Sequence, residues 1–225
     1  MSNRGNPPDE PGTPDLSDGA RAEADTTGLP MFPLGTVLFP HMPLQLRVFE
    51  PRYLEMLGQI LDAEPPEFGV VLIERGQEVG GGEQRFRHGT VAQVAQVEAA
   101  DGVIGLIVQG ERRIEVIEWD TEDPYPQADV RELPELEWDD SLDALREEAE
   151  RTVRRALALA SEFTDATWPP DVLLSDDKVA AAWQLAGIAP LGSLDQVALL
   201  RSTSMRELLT ALIDQAGSTS SEFFG

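Results

Sequence analysis

Residues 29–53 read LPMFPLGTVLFPHMPLQLRVFEPRY. Prolines at 30, 33, 40, 43 and 51 punctuate an otherwise apolar run. Proline lacks a backbone donor and clashes inside a helix, so no helix interior fits before Phe49. Short extended pieces joined by turns do fit, with edge strands the natural place for the prolines. Helical character begins at Glu50-Pro51, with Pro51 at the first helical position. Tyr53, Leu54, Leu57, Ile60 and Leu61 then recur at helical spacing, and 62–66 ends that helix.

Downstream, from Glu67 to Pro134, the period is nearer two. FGVVLIE (68–74) reads as a buried strand and TVAQVAQVE (90–98) as an imperfectly alternating one. VIGLIVQ (103–109) follows the turn dipeptide Asp101-Gly102. RIEVIEW (113–119) alternates, with a bulge where the face switches, and QADVREL (127–133) is the last strand. Five or six short strands with one early helix predict a small, partly closed barrel.

Beyond Pro134 the pattern is helical. Asp139, Asp140 and Ser141 are N-cap candidates. Leu142, Ala149, Ala156 and Phe163 recur every seven residues, as do Leu145, Thr152 and Leu159. They predict one apolar stripe on a helix of roughly 24 residues, about 36 Å long. Glu147–Arg151 and Glu150–Arg154 are i,i+4 pairs in the favourable order. Trp168-Pro169-Pro170 breaks the helix. Three shorter helices follow: one capped by Ser175 and ending at Gly187, one opened by Ser193 with Gln196, one by Ser204 with Glu207.

Upstream, residues 1–28 hold four prolines, six acids and two arginines, with Leu16 the lone large apolar residue. Such a segment cannot offset its ordering entropy and is expected to be disordered. The whole chain has 225 residues, 41 acids against 17 bases and no cysteine. A formal charge of −24 argues against holding a phosphate backbone by electrostatics and against docking on an anionic membrane. Without cysteine there is no disulfide, thiol nucleophile or cysteine metal site. The amino terminus has no apolar signal core, and no run reaches the length of a membrane span, so a cytoplasmic location is expected.

The catalytic inventory is thin. Lys178 is the only lysine, and Ser175 lies three residues before it. A helix cap and a solvated lysine explain the pair better than a serine–lysine dyad, because Asp176 and Asp177 would raise the lysine pKa. His41 and His88 have neither a G-x-S-x-G partner nor ligand spacing. Gly80-Gly81-Gly82 is flanked by Glu78 and Glu83 and no Gly-Lys-Ser/Thr follows, so it reads as a hairpin loop rather than a phosphate cradle. The acidic pairs match no calcium loop. No catalytic residue, metal site or cofactor is expected.

The run LPMFPLGTVLFPHMPLQLRVFEPRYLEML (29–57) resembles the opening of the Lon protease N-terminal substrate-binding domain, with its L-P-x-F-P-L-x-x-V-x-F-P and L-x-x-F-E-x-R-Y pattern. HGTVAQV (88–94) resembles that family's G-T-x-A-x-I strand, and Gly110 to Ile114 its G-x-x-R turn. Pro124 to Ala128 resembles the run before its last strand. Leu199-Leu200, Ser204 and Arg206 to Leu209 resemble its helical close, so the likeness covers about 29–216. His41 departs from the pattern: the family usually has glycine there.

The resemblance implies an α+β fold, with a PUA-like β pseudo-barrel and early helix at 29–135, then a C-terminal α-helical bundle at 136–216. A flexible tail over 217–225 completes the division. It implies recognition of unfolded or damaged proteins and does not imply catalysis; the expected role is an adaptor to a protease or a holdase, with unfolded or partner polypeptides, a protease complex and a second copy in a homodimer as the expected partners. The family's ATPase and protease modules lie on later domains and are missing from this sequence. Cereblon-like ubiquitin-ligase receptors carry the same domain type, which suggests an adaptor role by analogy. The expected binding residues are Phe32, Leu34, Phe39, Pro40, Met42, Leu44, Phe49 and Tyr53, lining an apolar groove, although a first barrel strand would bury the same residues. Two alternatives stand beside this. One is RNA binding through Arg85, Arg87, Arg112 and Arg113, disfavoured by the net charge. The other is docking on one dedicated partner.

Overall fold

The computed structural model describes residues 25–75, 84–100, 103–163 and 168–222. The Gly80–Gly82 loop, the Asp101-Gly102 turn, nearly all of the expected amino-terminal tail and residues 223–225 lie outside them. Six strands are formed: β1 (Thr26–Leu34), β2 (Pro43–Val48), β3 (Glu67–Arg75), β4 (Gln84–Ala100), β5 (Val103–Trp119) and β6 (Gln127–Glu132). Helix α1 (Pro51–Ile60) lies between β2 and β3, with Glu50 at its N-cap and Pro51 in its first turn. A short 3-10 turn (Asp140–Leu142) leads into α2 (Asp143–Phe163), followed by α3 (Lys178–Ile188), α4 (Ser193–Leu200) and α5 (Met205–Glu222).

The sheet runs β2-β5-β4-β3-β1-β6, and β6 pairs back onto β5. Five strands therefore close into a ring, and β2 hangs on it as an added edge. Only β1–β3 is parallel among the described pairings. The expected strands at 103–109 and 113–119 are one strand of 17 residues. Its amino-terminal half pairs with β2, from Ile104 opposite Val48 to Gln109 opposite Pro43. Its carboxy-terminal half pairs with β6, from Ile114 to Trp119. Gly110 at the changeover looks like a turn signal in sequence. Its role is close approach instead: a Cβ there would sit 2.1 Å from the Phe39 carbonyl oxygen.

Two cores use the two faces of these strands. Met31, Val71, Val91, Ile114, Val116 and Val130 fill the ring interior. On the other face, Phe32, Phe68 and Val70 meet Tyr53, Met56 and Leu57 of α1, and this second core continues without a break into the helices. The Phe32 and Tyr53 rings stack with centroids 4.0 Å apart.

Helix α2 packs chiefly on α5. Its buried stripe is Leu142, Ala149, Val153, Ala156, Leu157 and Ala160, while the second heptad series, Leu145, Thr152 and Leu159, is half-buried on the flank. The i,i+4 pairs form as expected, Arg154–Glu150 at 2.8 Å and Arg151–Glu147 at 3.8 Å. Two caps differ from expectation. Asp177, not Ser175, caps α3, accepting from Ala180 N–H at 2.8 Å. Gly192 precedes α4 with no side-chain cap, so Ser193 lies inside the helix. Ser204 does cap α5, accepting from Glu207 N–H, while the Glu207 carboxylate accepts from Thr203. Two expected boundaries also move. β1 starts at Thr26, where Asp25 N–H donates to Val130, and α5 runs on to Glu222, past residue 216.

Two devices lock the segment 38–42 in place. Met42 N–H donates to the Phe39 carbonyl at 3.2 Å, closing a turn with Pro40 and His41 at its centre. His41 has φ of 60°, the left-handed region. A type II turn wants proline first and glycine second, so His41 occupies the turn at a cost. Gly110 then donates to Met42 and accepts from His41, fastening the turn to β5.

The second device is Arg113. Its guanidinium is buried and donates to three carbonyls: Leu200 at 3.0 Å, Ser202 at 2.7 Å and Pro134 at 2.6 Å. The same group lies 5.1 Å from the centre of the Trp183 ring. It joins the barrel to the helices.

Three stability outcomes follow. His41→Gly should gain about 0.5–1 kcal/mol, the relief of left-handed strain less the extra freedom of glycine when unfolded. His41→Val should lose at least that much; urea melts of both check the turn, and a destabilised glycine variant would contradict it. Arg113→Met should cost about 3–5 kcal/mol, because three carbonyls lose their donor in a buried place. At ~2–4 °C per kcal/mol for a domain this size, calorimetry should read a Tm roughly 10 °C lower. Burial first, then Arg201, holds His88 below the ordinary imidazole value of 6.5. The unfolded chain therefore takes up a proton at higher pH than the native one, and stability contributed by neutral His88 is lost as pH falls through 6.5 and below. His88→Gln should flatten the acid limb of the stability curve between pH 7 and 5, measured against wild type to cancel the shared carboxylate contribution.

Candidate functional site

Six of the eight expected binding residues are buried. Phe32, Leu34 and Tyr53 belong to the core under α1. Phe39 is 1% exposed, its ring 6.1 Å from that of Trp183. Met42 presses on α3, where a Cβ on Gly187 would meet its side chain at 2.6 Å. Pro40 is buried, Leu44 is half-buried, and Phe49 stands 56% exposed just beyond β2. The segment is thus a wedge between barrel and helices over most of its length. Its open faces are two clefts, one on each side.

The first cleft, about 720 Å³, brings Met42 and Leu44 together with Ile107 of β5, Leu157 and Ala160 of α2, and Trp168. The backbone after α3, from Gly187 to Leu191, closes one wall. Its lining side chains are mostly apolar. Along its rim runs β2, the end strand of the sheet order. Among the described residues β2 pairs with β5 alone, so its second edge carries no strand. The pleat of β2 turns Leu44, Leu46 and Val48 toward the core and leaves Pro43, Gln45 and Arg47 exposed.

The second cleft, about 750 Å³, lies on the other side of the wedge. Pro40 and His41 border it, Trp138 and Trp183 form aromatic walls, and Glu111, Glu135, Glu137 and Asp177 supply carboxylates. Asp177 is engaged as the cap of α3. No group of three or more His, Asp or Glu among the described residues is arranged to hold a metal ion.

The catalytic candidates are occupied elsewhere. Lys178 ion-pairs with Asp143 at 2.8 Å and Asp140 at 3.0 Å. Those hydrogen bonds, Asp143 foremost, hold its pKa above the ordinary lysine value, the wrong direction for a base. Ser175 Oγ accepts from Asp177 N–H and joins the turn that starts α3. The basic residues weighed for RNA are likewise engaged. Arg85 forks onto Glu122 and lies over Trp119, and Arg87 donates to the Val116 and Ile117 carbonyls. Arg112 bridges Glu67 and Glu132, and Arg113 is consumed by the three carbonyls.

Sequence reasoning did not find Ile107, Trp168 or Trp138. Ile107 could have been found: it is the apolar residue out of phase with Leu106 and Val108 on a strand whose other face is core. The tryptophans had no local signal, since each reaches its cleft through the packing of α2 and α3 against the barrel. No described helix is long and apolar enough to cross a membrane.

The family profile of the ATP-dependent protease La (LON) substrate-binding domain matches residues 28–215. Lon protease 2 of Herpetosiphon aurantiacus is 27% identical over 194 residues, which are 84% of this chain and 23% of that protein. The Lon protease of Escherichia coli is 26% identical over 195 residues, 82% of this chain and 24% of that protein. The chain spans about a quarter of the length of these relatives. A Lon N-terminal domain protein from Xanthomonas campestris superposes with a TM-score of 0.59 at 25% identity, covering 84% of this chain and 98% of that one. The N-terminal domain of the Mycobacterium avium complex Lon protease shares the fold, at a TM-score of 0.60 and 23% identity over 84% and 98%. With profile, sequence and fold in agreement over the same residues, the chain belongs to the family of the Lon substrate-binding domain.

Proposed function

We propose that this chain is a non-catalytic module that binds extended apolar segments of unfolded or partner proteins, as an adaptor to a protease complex or as a holding protein. The observation that carries the reading is the first cleft with β2 on its rim. A polypeptide laid against the second edge of β2 continues the sheet, and main-chain hydrogen bonds give affinity without demanding a sequence. Alternate side chains then enter the cleft between Leu44, Ile107 and Trp168. Each large apolar side chain buried there contributes about 1.5–3 kcal/mol, offset by roughly 1–2 kcal/mol for each residue ordered. The balance suits a reversible, roughly micromolar binder. The adaptor role draws support from the relatives, which are Lon proteases.

The test is fluorescence anisotropy of a labelled, reduced and alkylated lysozyme, unfolded under native conditions. Binding should persist in 1 M salt, where the Debye length is about 3 Å and surface charge no longer attracts. Ile107→Asp should weaken it at least tenfold with Tm within a few degrees of wild type. Phe39→Asp would not serve, since Phe39 is core and its loss reports folding. Absent binding at both salts, or binding indifferent to Ile107→Asp, would reject the reading.

A further inference from the structure

The second cleft differs from the first in charge, and the difference names an occupant. Glu111, Glu135 and Glu137 border it with no ion pair among the described residues. The cations that line it, and the lysine that lies on Trp138, are already committed. Arg112 is shared by Glu67 and Glu132, a trio that carries one net negative charge. Arg113 is buried under three carbonyls. Lys178 sits between Asp140 and Asp143, again one net negative. The rim is therefore electronegative after every internal pairing, in a chain whose formal charge is −24.

The walls are aromatic, and Trp138 already has the Lys178 ammonium 5.6 Å from its ring centre. The Trp138 indole N–H is buried without a hydrogen-bond partner in the structure. The carboxylates do not converge on a metal-sized point. A cationic side chain carried on a polypeptide suits the carboxylates and the tryptophan walls together.

We infer that this cleft takes an arginine or lysine of the bound polypeptide, so that the protein selects basic-and-apolar segments over acidic ones. The inference rests on the polypeptide-binding reading above and names its substrate class. Arginine is favoured over lysine, because its planar fork can hold two carboxylates and lie on an indole at once.

Two labelled peptides of the same length test it, one alternating leucine with arginine, the other carrying citrulline at each arginine. Citrulline keeps the shape and removes the charge. At 50 mM salt the arginine peptide should bind the wild type at least tenfold tighter. The variant Glu111→Gln/Glu135→Gln/Glu137→Gln, with its Tm matched to wild type, should bring the two peptides within about twofold. Glu148→Gln/Glu162→Gln/Asp171→Asn removes as much charge from outside the cleft and should leave the preference intact. Ile107→Asn should weaken both peptides and leave their ratio unchanged. Equal binding of the two peptides, or a preference that survives the cleft variant, overturns the inference while leaving the polypeptide-binding reading standing. No binding of either peptide, together with none of unfolded lysozyme, overturns both.

Discussion

The burial of the Arg113 guanidinium is the constraint on which the rest of the molecule depends. A charge taken out of water is expensive unless its donors are met. Here Leu200 and Ser202 meet it from the end of α4, Pro134 from the strand-to-helix connection, and Trp183 covers its face. Pro134 lies more than 60 residues before Leu200 and Ser202 in sequence, so satisfying one side chain fixes where the helices sit on the barrel. The wedge 38–42 must then fill the space between them. It does so with Phe39 against Trp183, Met42 against Gly187, and the Leu38 carbonyl accepting from the buried Thr90 hydroxyl at 2.6 Å. The clefts are what remain unfilled on either side.

Much of this was legible in the residues. The prolines excluded helix before Phe49, and Pro51 marked the start of α1. The proline-punctuated run marked the extended segments of β1 and β2, β-branched or alternating runs marked β3 to β6, and the motif likeness gave the architecture. What failed did so for physical reasons. A glycine that permits close approach and a glycine that makes a turn look alike in sequence, so β5 read as two strands at Gly110. Asp177 outcompetes Ser175 for the α3 cap because the chain reaches it one residue before the helix. The expected binding residues were apolar for the reason core residues are apolar. Burial in a three-dimensional wedge cannot be told from exposure in a groove by composition, so Phe32, Leu34, Phe39, Pro40, Met42 and Tyr53 carried a signal that packing explains.

The charge of the chain has a related logic. Sixteen of its seventeen bases are arginine. The arginines at 85, 112, 113 and 154 each serve two or more acceptors, carbonyls among them. A lysine point charge could not hold such geometries. Positive charge is spent on architecture, and the surplus of carboxylates is left to face solvent and whatever approaches.

Strand β5 serves both clefts. Ile107 stands in one and Glu111 in the other, four residues apart along the strand, a rise of about 13 Å. Under the proposed function, a client chain seated in the first cleft would hold its neighbouring residues at a local concentration on the order of millimolar over the second, so that two weak contacts multiply. A segment with its apolar and basic residues at that separation gains from both; one with the same residues scrambled gains from one. On that reading the continuous strand is a ruler, and what it measures in a client is the spacing of its apolar and basic residues.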